Sequence, residues 1–275
     1  MDRYAVIGNP IEHSKSPWIH ARFAEQAQQS LEYRALLVEL DDFERSVAEF
    51  FDNGGKGLNI TVPFKERAWA MADRHGESAR EAGAVNTLYR DSDGKLVGEN
   101  TDGTGLLRDL KLNHGADLSD KRILVLGAGG AVKGVLPNLI AESPSAIFIA
   151  NRTVEKAQAL AAASATKVEI HAVNYENVPR ESFDFIINGT SAGLQGDLPA
   201  VHSEAVSTHT WCYDMIYGVG DTKFQIWAKS LQAAHAHDGL GMLVEQAAES
   251  FRIWRGHSPQ TAPVIRQLRQ LLAQA

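Results

Sequence analysis

Cysteine is almost missing from this 275-residue chain: Cys212 is the only one, so no intramolecular disulfide can form and a disulfide-stapled secreted scaffold is excluded. Proline and glycine are sparse, 9 and 23 residues, which excludes collagenous or low-complexity chains. Positive charge is in deficit, 27 Lys and Arg against 34 Asp and Glu, a formal −7 that repels phosphate backbones and anionic lipid. Any anion must therefore be held locally. No stretch approaches the ~18 apolar residues of a membrane span. The opening apolar run, Tyr4 to Gly8, is too short for a signal-peptide core. A reducing, cytoplasmic setting is expected, with neither nucleic-acid nor membrane partners.

What is present reads as α/β. Hydrophobic content of 44% and charged content of 22% suit an ordinary globular chain of one large or two ordinary domains. Short apolar runs at Tyr4–Gly8, Tyr33–Val38, Gly57–Thr61 and Ala84–Tyr89 alternate with amphipathic runs at Pro17–Gln28 and Phe43–Phe51, the latter behind the N-cap signal Asp41-Asp42. Asp91-Ser-Asp-Gly94 is turn chemistry, so Ala84–Tyr89 and Lys95–Gly98 should form a hairpin, giving the sheet an antiparallel edge. A second series starts at Arg122–Leu126 and Gly127-Ala-Gly-Gly-Ala131 and continues through Ala146–Ala150, Val154–Ser164, Val168–Val173, Phe183–Asn188 and Trp211–Met215. Past Gly239 only helical runs remain, Met242–Arg255 and Ala262–Ala275. Having no sheet of their own, they should pack back on the first domain. The expected organisation is an α/β domain over residues 1–103, a Rossmann-like dinucleotide-binding domain over 104–238, and returning helices over 239–275.

Gly127-x-Gly129 between a strand and a helix lets backbone approach a pyrophosphate that sits on the helix N-terminus. Val132 stands where a full G-x-G-x-x-G places its third glycine, although Gly130 and Ala131 keep the neighbouring positions small. A tight strand-to-helix turn without a ligand is the alternative. The next strand runs into Asn151-Arg152-Thr153 with Lys156 one turn on and no carboxylate before Glu155, where an NAD-preferring unit carries an acid for the ribose hydroxyl. Cations at a helix start oppose the macrodipole, so a 2′-phosphate, hence NADP, is the reading favoured over solvated surface residues.

In the first half, polar residues gather where strands should end: Ser14 and Ser16 around Lys15, then Asn59, Thr61 and Lys65, then Asn86 and Asp102. Hydroxyls and amides there suit a small, hydroxylated anion. Each has a plainer reading, turn and cap work ahead of Pro17 for the serines, a surface lysine for Lys65, and an N-cap for Asp102. His13, His20 and His75 have no metal-ligand spacing and read as structural or surface residues, so no metal is expected.

Taken together, Gly8-Asn-Pro-Ile-Glu-His-Ser-Lys-Ser-Pro17, Asn59-Ile-Thr-Val-Pro-Phe-Lys65, Gly83-Ala-Val-Asn-Thr87, Asn100-Thr-Asp-Gly-Thr-Gly105, Gly127-Ala-Gly-Gly-Ala131, Asn151-Arg-Thr153, Asn188-Gly-Thr-Ser-Ala-Gly193, Asp214-Met-Ile-Tyr217 and Gly239-Leu-Gly-Met-Leu-Val-Glu-Gln246 resemble the shikimate dehydrogenase family, in family order. The resemblance implies NADP-dependent, reversible reduction of 3-dehydroshikimate to shikimate in aromatic amino-acid biosynthesis. It implies that Ser14 and Ser16 hold the substrate carboxylate near Tyr217, that Thr61, Asn86 and Gln246 bind ring hydroxyls with Asn59 alongside, and that Lys65 and Asp102 are the catalytic pair. For the cofactor it implies Gly127, Ala128, Gly129, Gly130, Ala131, Asn151, Arg152, Thr153, Lys156, Thr190, Met215 and the Gly239 backbone, the last two beside the nicotinamide. Lys133 stands where the family usually has arginine, and Gly218-Val-Gly-Asp221 lacks the usual prolines. A monomer or homodimer is expected. Two competing readings remain: an NAD-dependent quinate/shikimate dehydrogenase, against which Arg152 argues, and a cofactor-sensing regulator, which would have no need of Lys65 and Asp102.

Overall fold

The structure, a computed structural model, describes residues 1–164, 167–190, 198 and 200–274. The chain divides into two compact units, one of Met1–Gly105 with Leu243–Leu268, the other of Leu106–Met242 with Arg269–Ala275.

The first unit holds a six-stranded sheet in the order β2-β1-β3-β5-β6-β4, with β1 Asp2–Gly8, β2 Leu31–Leu37, β3 Gly57–Ile60, β4 Arg74–His75, β5 Thr87–Arg90 and β6 Leu96–Glu99. β1 pairs parallel with β2 and β3, whereas β5 runs antiparallel to both β3 and β6. The hairpin thus forms but lies inside the sheet. The edge belongs to β4, two residues paired parallel with β6, which alternation is too short to reveal. Strand β5 starts at Thr87 because Ala84–Asn86 form the buried turn that follows Gly83, whose φ of +58 closes helix α4, Glu77–Ala82. Helix α1, Ser16–Gln26, buries Ser16, Ile19, His20, Phe23 and Ala24, and α2, Phe43–Asp52, buries Phe43, Val47 and Phe51, one residue per turn. Asp42 precedes α2, but its carboxylate turns to Arg45 and makes no cap hydrogen bond. Helix α3, Lys65–Met71, follows β3 after the turn residues 61–64.

In the second unit six parallel strands run in the order β12-β11-β10-β7-β8-β9: β7 Arg122–Leu126, β8 Ala146–Ala150, β9 Glu169–Val173, β10 Phe185–Asn188, β11 Trp211–Asp214 and β12 His235–His237. Alternate residues feed two cores. Ile123, Val125, Ile147, Ile149, Phe185 and Ile187 pack on one face; Leu124, Leu126, Phe148, Ala150, Ile186 and Cys212 pack on the other. A sheet covered on both faces needs such uninterrupted apolar strands. Helix α5, Asp102–Arg108, widens into a π turn over Asp109–Asn113; α6 is Gly130–Ala141, α7 Val154–Ala163 and α8 Lys223–Ser230, the last entered through a Thr222/Gln225 capping box. Helices α9, Leu240–Arg255, and α10, Thr261–Ala273, finish the chain, and residues 243–268 of them cluster with the first unit. Residues 269–274 cluster with the second, where Arg269 pairs with Asp238. Among the described residues no helix is long and apolar enough to cross a membrane.

Candidate active site

In the first unit, the strand ends and α9 bring five separate polar segments into one hydrogen-bonded network. Lys65, at the first turn of α3, places Nζ 2.5 Å from Asp102 Oδ2, with only 16% and 8% of the two side chains exposed. Asp102 opens α5, yet its carboxylate does no capping. The Asn100 side chain accepts from the Asp102 N–H instead, leaving Asp102 Oδ1 to accept from Asn86 Nδ2 at 2.8 Å. Asn86 Nδ2 also approaches Thr101 Oγ1 at 2.9 Å and Gln246 Oε1, from α9, at 3.3 Å; its Oδ1 accepts from the Thr101 N–H and from Thr87 Oγ1. Lys65 is therefore a partly buried, oriented cation rather than a solvated surface lysine.

Asn59 joins the same network. Its Oδ1 accepts from Tyr33 OH at 2.7 Å and its Nδ2 donates to Asn86 O, Thr87 Oγ1 and Ser250 Oγ, so both ends of the amide are engaged within the fold. Burial raises the Tyr33 phenol well above its ordinary 10.0, with a hydrogen bond to Ser16 acting the other way. The phenol stays a donor. Ser14 Oγ accepts from the Ser16 N–H at 3.3 Å, a local turn bond at the start of α1, whose N-cap residue Lys15 adds no side-chain cap. Thr61 is half-buried on the same strand end. Tyr33, Thr87, Thr101 and Ser250 are network members that sequence reasoning missed. Only Ser250 carried a signal, lying four residues after Gln246 on one helix face.

Beneath Tyr33, stacked 4.2 Å away and nearly parallel, lies His20, fully buried and with no well-formed hydrogen bond at either ring nitrogen among the described residues, the Asn59 side chain being a weak neighbour. Burial pushes its imidazole down to about 3 from 6.5. A depressed base is neutral in the folded chain but protonated in the unfolded one below pH 6.5, so its stabilising contribution is complete above that pH and falls as acid is added. Between pH 7 and 5 this amounts to about 2 kcal/mol. His20→Phe, which keeps a stacked ring, should lose that much less stability than the parent over the same interval. Urea unfolding at the two pH values checks it, and identical losses would mean the native imidazole is protonated.

The second unit builds a backbone cradle at the end of β7. Gly127 has φ of +102, and a Cβ on it would meet Gly189 O at 3.2 Å; Gly129 and Gly130 face open space, and no side chain caps α6. The first-turn N–H groups of α6 are thus available to an anion. Ala128 is buried and Ala131 half-buried beside them. Val132, in place of the third glycine, packs against Gly189, whose own Cβ would sit 2.5 Å from Val132 Cγ2. The close approach usually given by a helix glycine comes here from the β10 end. At the end of β8, Asn151 Nδ2 donates to Thr153 O, shaping the turn that leaves Arg152 and Lys156 exposed, with no carboxylate partner among the described residues. These residues fit a dinucleotide bearing an extra phosphate. Thr190 Oγ1 donates to Asn188 Oδ1, and Asn188 Nδ2 to buried Asp214. Ser191, Ala192 and Gly193 of that motif lie outside the described residues. After β11, Met215 faces Gly239, where a Cβ would meet Met215 O at 2.3 Å. Burial, with a smaller contribution from Asp238, raises the Tyr217 phenol and keeps it protonated.

Three family profiles match the chain: a shikimate dehydrogenase substrate binding domain over residues 6–88, shikimate / quinate 5-dehydrogenase over 109–208, and a shikimate 5′-dehydrogenase C-terminal domain over 239–269. The chain belongs to the shikimate dehydrogenase family. A relative from Alkalilimnicola ehrlichii named shikimate dehydrogenase (NADP(+)) is 57% identical over 268 residues, 98% of each chain. Among solved members of the fold, an Ael1 enzyme from Pseudomonas putida is 48% identical with a TM-score of 0.90 over 98% of each chain. The Thermus thermophilus shikimate 5-dehydrogenase, solved with NADP(H) and shikimate, is 32% identical with a TM-score of 0.85, covering 99% of this chain and all of that one.

Proposed function

We propose that this chain is an NADP-dependent shikimate dehydrogenase that reversibly reduces 3-dehydroshikimate to shikimate, with Lys65 and Asp102 as its acid–base pair. The first unit holds the substrate and the second the cofactor. The observation that carries the reading is the Lys65–Asp102 pair, held by Asn86 and oriented at the strand ends beside hydroxyl and amide groups. Membership of a family whose relatives are named for NADP supports the cofactor, as do Arg152 and Lys156 at the end of β8.

When bound, NADPH supplies a hydride to the ring carbonyl carbon. Lys65 donates a hydrogen bond to the carbonyl oxygen and gives it a proton as negative charge develops there; in the reverse direction the neutral amine takes that proton back. Asp102 fixes the ammonium, and Asn86 fixes Asp102, so the donor needs no reorganisation at the moment of reaction. Thr61, Asn86 and Gln246 hold ring hydroxyls, and Ser14 and Ser16 hold the carboxylate. Asn59 donates to the Asn86 backbone carbonyl and so helps to position Asn86. The test is steady-state kinetics on shikimate and on quinate, each with NADP and NAD. Turnover of shikimate with NADP should dominate, and dominance of quinate with NAD would overturn the reading.

Ser14→Ala and Ser16→Ala should raise KM for shikimate more than they lower kcat, because a carboxylate remote from the reacting carbon is held alike in ground and transition states. Variants with parental KM and lower thermal stability would return the serines to a turn role.

A further inference from the structure

Strands β7, β8 and β9 step one way from the sheet centre while β10, β11 and β12 step the other, so the order reverses between β7 and β10. A dinucleotide lies across that reversal, over the carboxyl ends of the strands. Arg152 at the end of β8 marks the phosphorylated adenosine side, which places the nicotinamide over the ends of β10 and β11, where Met215 meets the turn after β12. That turn is held from two sides. Gly241 lies against the buried Asp109 carboxylate, so closely that a Cβ would meet its Oδ1; Asp109 is itself fixed by Tyr213 OH at 2.6 Å and Asn113 Nδ2 at 2.9 Å, in the π turn of the chain. On the other side Asp238, 6% exposed, accepts Arg269 Nη1 at 2.6 Å and Nη2 at 2.5 Å, and its Oδ1 also accepts from the Leu240 N–H. Gly239 stands between these anchors, its N–H donating to Ile216 O and its Cα tight against the Met215 backbone.

We infer that Arg269, near the end of α10, is a positioning residue for the nicotinamide half of the cofactor, acting through its two-pronged pair with Asp238 on the Gly239 backbone. The inference rests on the NADP-dependent function proposed above. A guanidinium fork fixes both the place and the rotation of a carboxylate, and a lysine ammonium fixes only the place. Without the fork, Asp238 keeps only the Leu240 N–H among the described residues, and the turn facing Met215 is free to shift.

The test measures dissociation constants, without turnover, for NADPH and for adenosine 2′,5′-bisphosphate, which carries the phosphorylated adenosine half but no nicotinamide. Parental protein that binds neither, or prefers NADH to NADPH, would refute the functional reading itself. Given normal parental binding, Arg269→Met should weaken NADPH about tenfold while changing the bisphosphate by less than about twofold, and Arg269→Lys should fall between. Asp238→Asn, whose amide oxygen can still accept from Leu240, should give the same split and serves if Arg269→Met folds poorly. Equal weakening of both ligands, or unchanged NADPH affinity, would overturn the inference and leave the pair a purely structural clasp.

Discussion

Lys65→Met is expected to lower kcat by a factor of roughly 10²–10⁴, the range for loss of a positioned general acid. Methionine retains an unbranched stem of similar length, so the packing of a side chain only 16% exposed is largely kept while the charge and the transferable proton are removed. The substitution also leaves Asp102 as a nearly buried carboxylate whose remaining side-chain donor among the described residues is Asn86, which lowers stability and confounds a bare rate measurement. Lys65→Met/Asp102→Asn removes that confusion. With both charges gone, the double variant should regain stability relative to Lys65→Met, and its kcat should stay as low as that of the poorer single variant, because the two residues act as one unit. Shikimate Kd, read without turnover, should rise by about a decade at most, since one hydrogen bond among several to the ring is lost. If Lys65→Met keeps most of its kcat, the proton comes from elsewhere and the catalytic assignment is wrong.

The strands that an unbroken apolar run could locate were legible because burial there is uniform. Ala146 to Ala150 is buried on both faces and has the same bounds in sequence and structure, whereas β4 is two polar residues, Arg74 and His75, made a strand only by the neighbouring β6. Helix α8 was overlooked although Thr222 and Gln225 form a capping box at its start. For the site, the residue types named the participants but not their directions. Asp102 has the position of an N-cap, and only the Asn100 side chain, which takes that work, frees its carboxylate for Lys65. Asn59 has the same chemistry as Asn86, and what separates their roles is Tyr33 and Ser250, distant in sequence and supplied by β2 and α9. Val132 breaks the glycine fingerprint, and its compensation at Gly189 lies on another strand. The Asn100 bond and the α8 cap are local, whereas the partners of Asn59 and Val132 are tertiary and no local pattern encodes them.

Arg152→Ala should weaken NADP by about one to two decades while leaving NAD nearly unchanged, since a charge-assisted hydrogen bond to phosphate is worth roughly 1.5–3 kcal/mol and NAD carries only a neutral hydroxyl at that place. The side chain is exposed, no carboxylate partner holds it among the described residues, and the Tyr175 phenol is a weak neighbour, so the thermal midpoint should move little. Lys156, one turn further along α7 and equally exposed, should contribute less, because an ammonium meets the phosphate as a point charge where a guanidinium can meet it with two parallel bonds. Exposure has a second consequence. A contact made in water is screened by salt, so the NADP dissociation constant of the parent should rise between low and physiological ionic strength more steeply than that of Arg152→Ala, and NAD binding should show little of this dependence. Titrating both cofactors into both proteins at two salt concentrations measures all of these together. Equal losses of NADP and NAD affinity on removing Arg152 would place the guanidinium on the shared pyrophosphate, and the discrimination between the two cofactors would then have to come from some other residue.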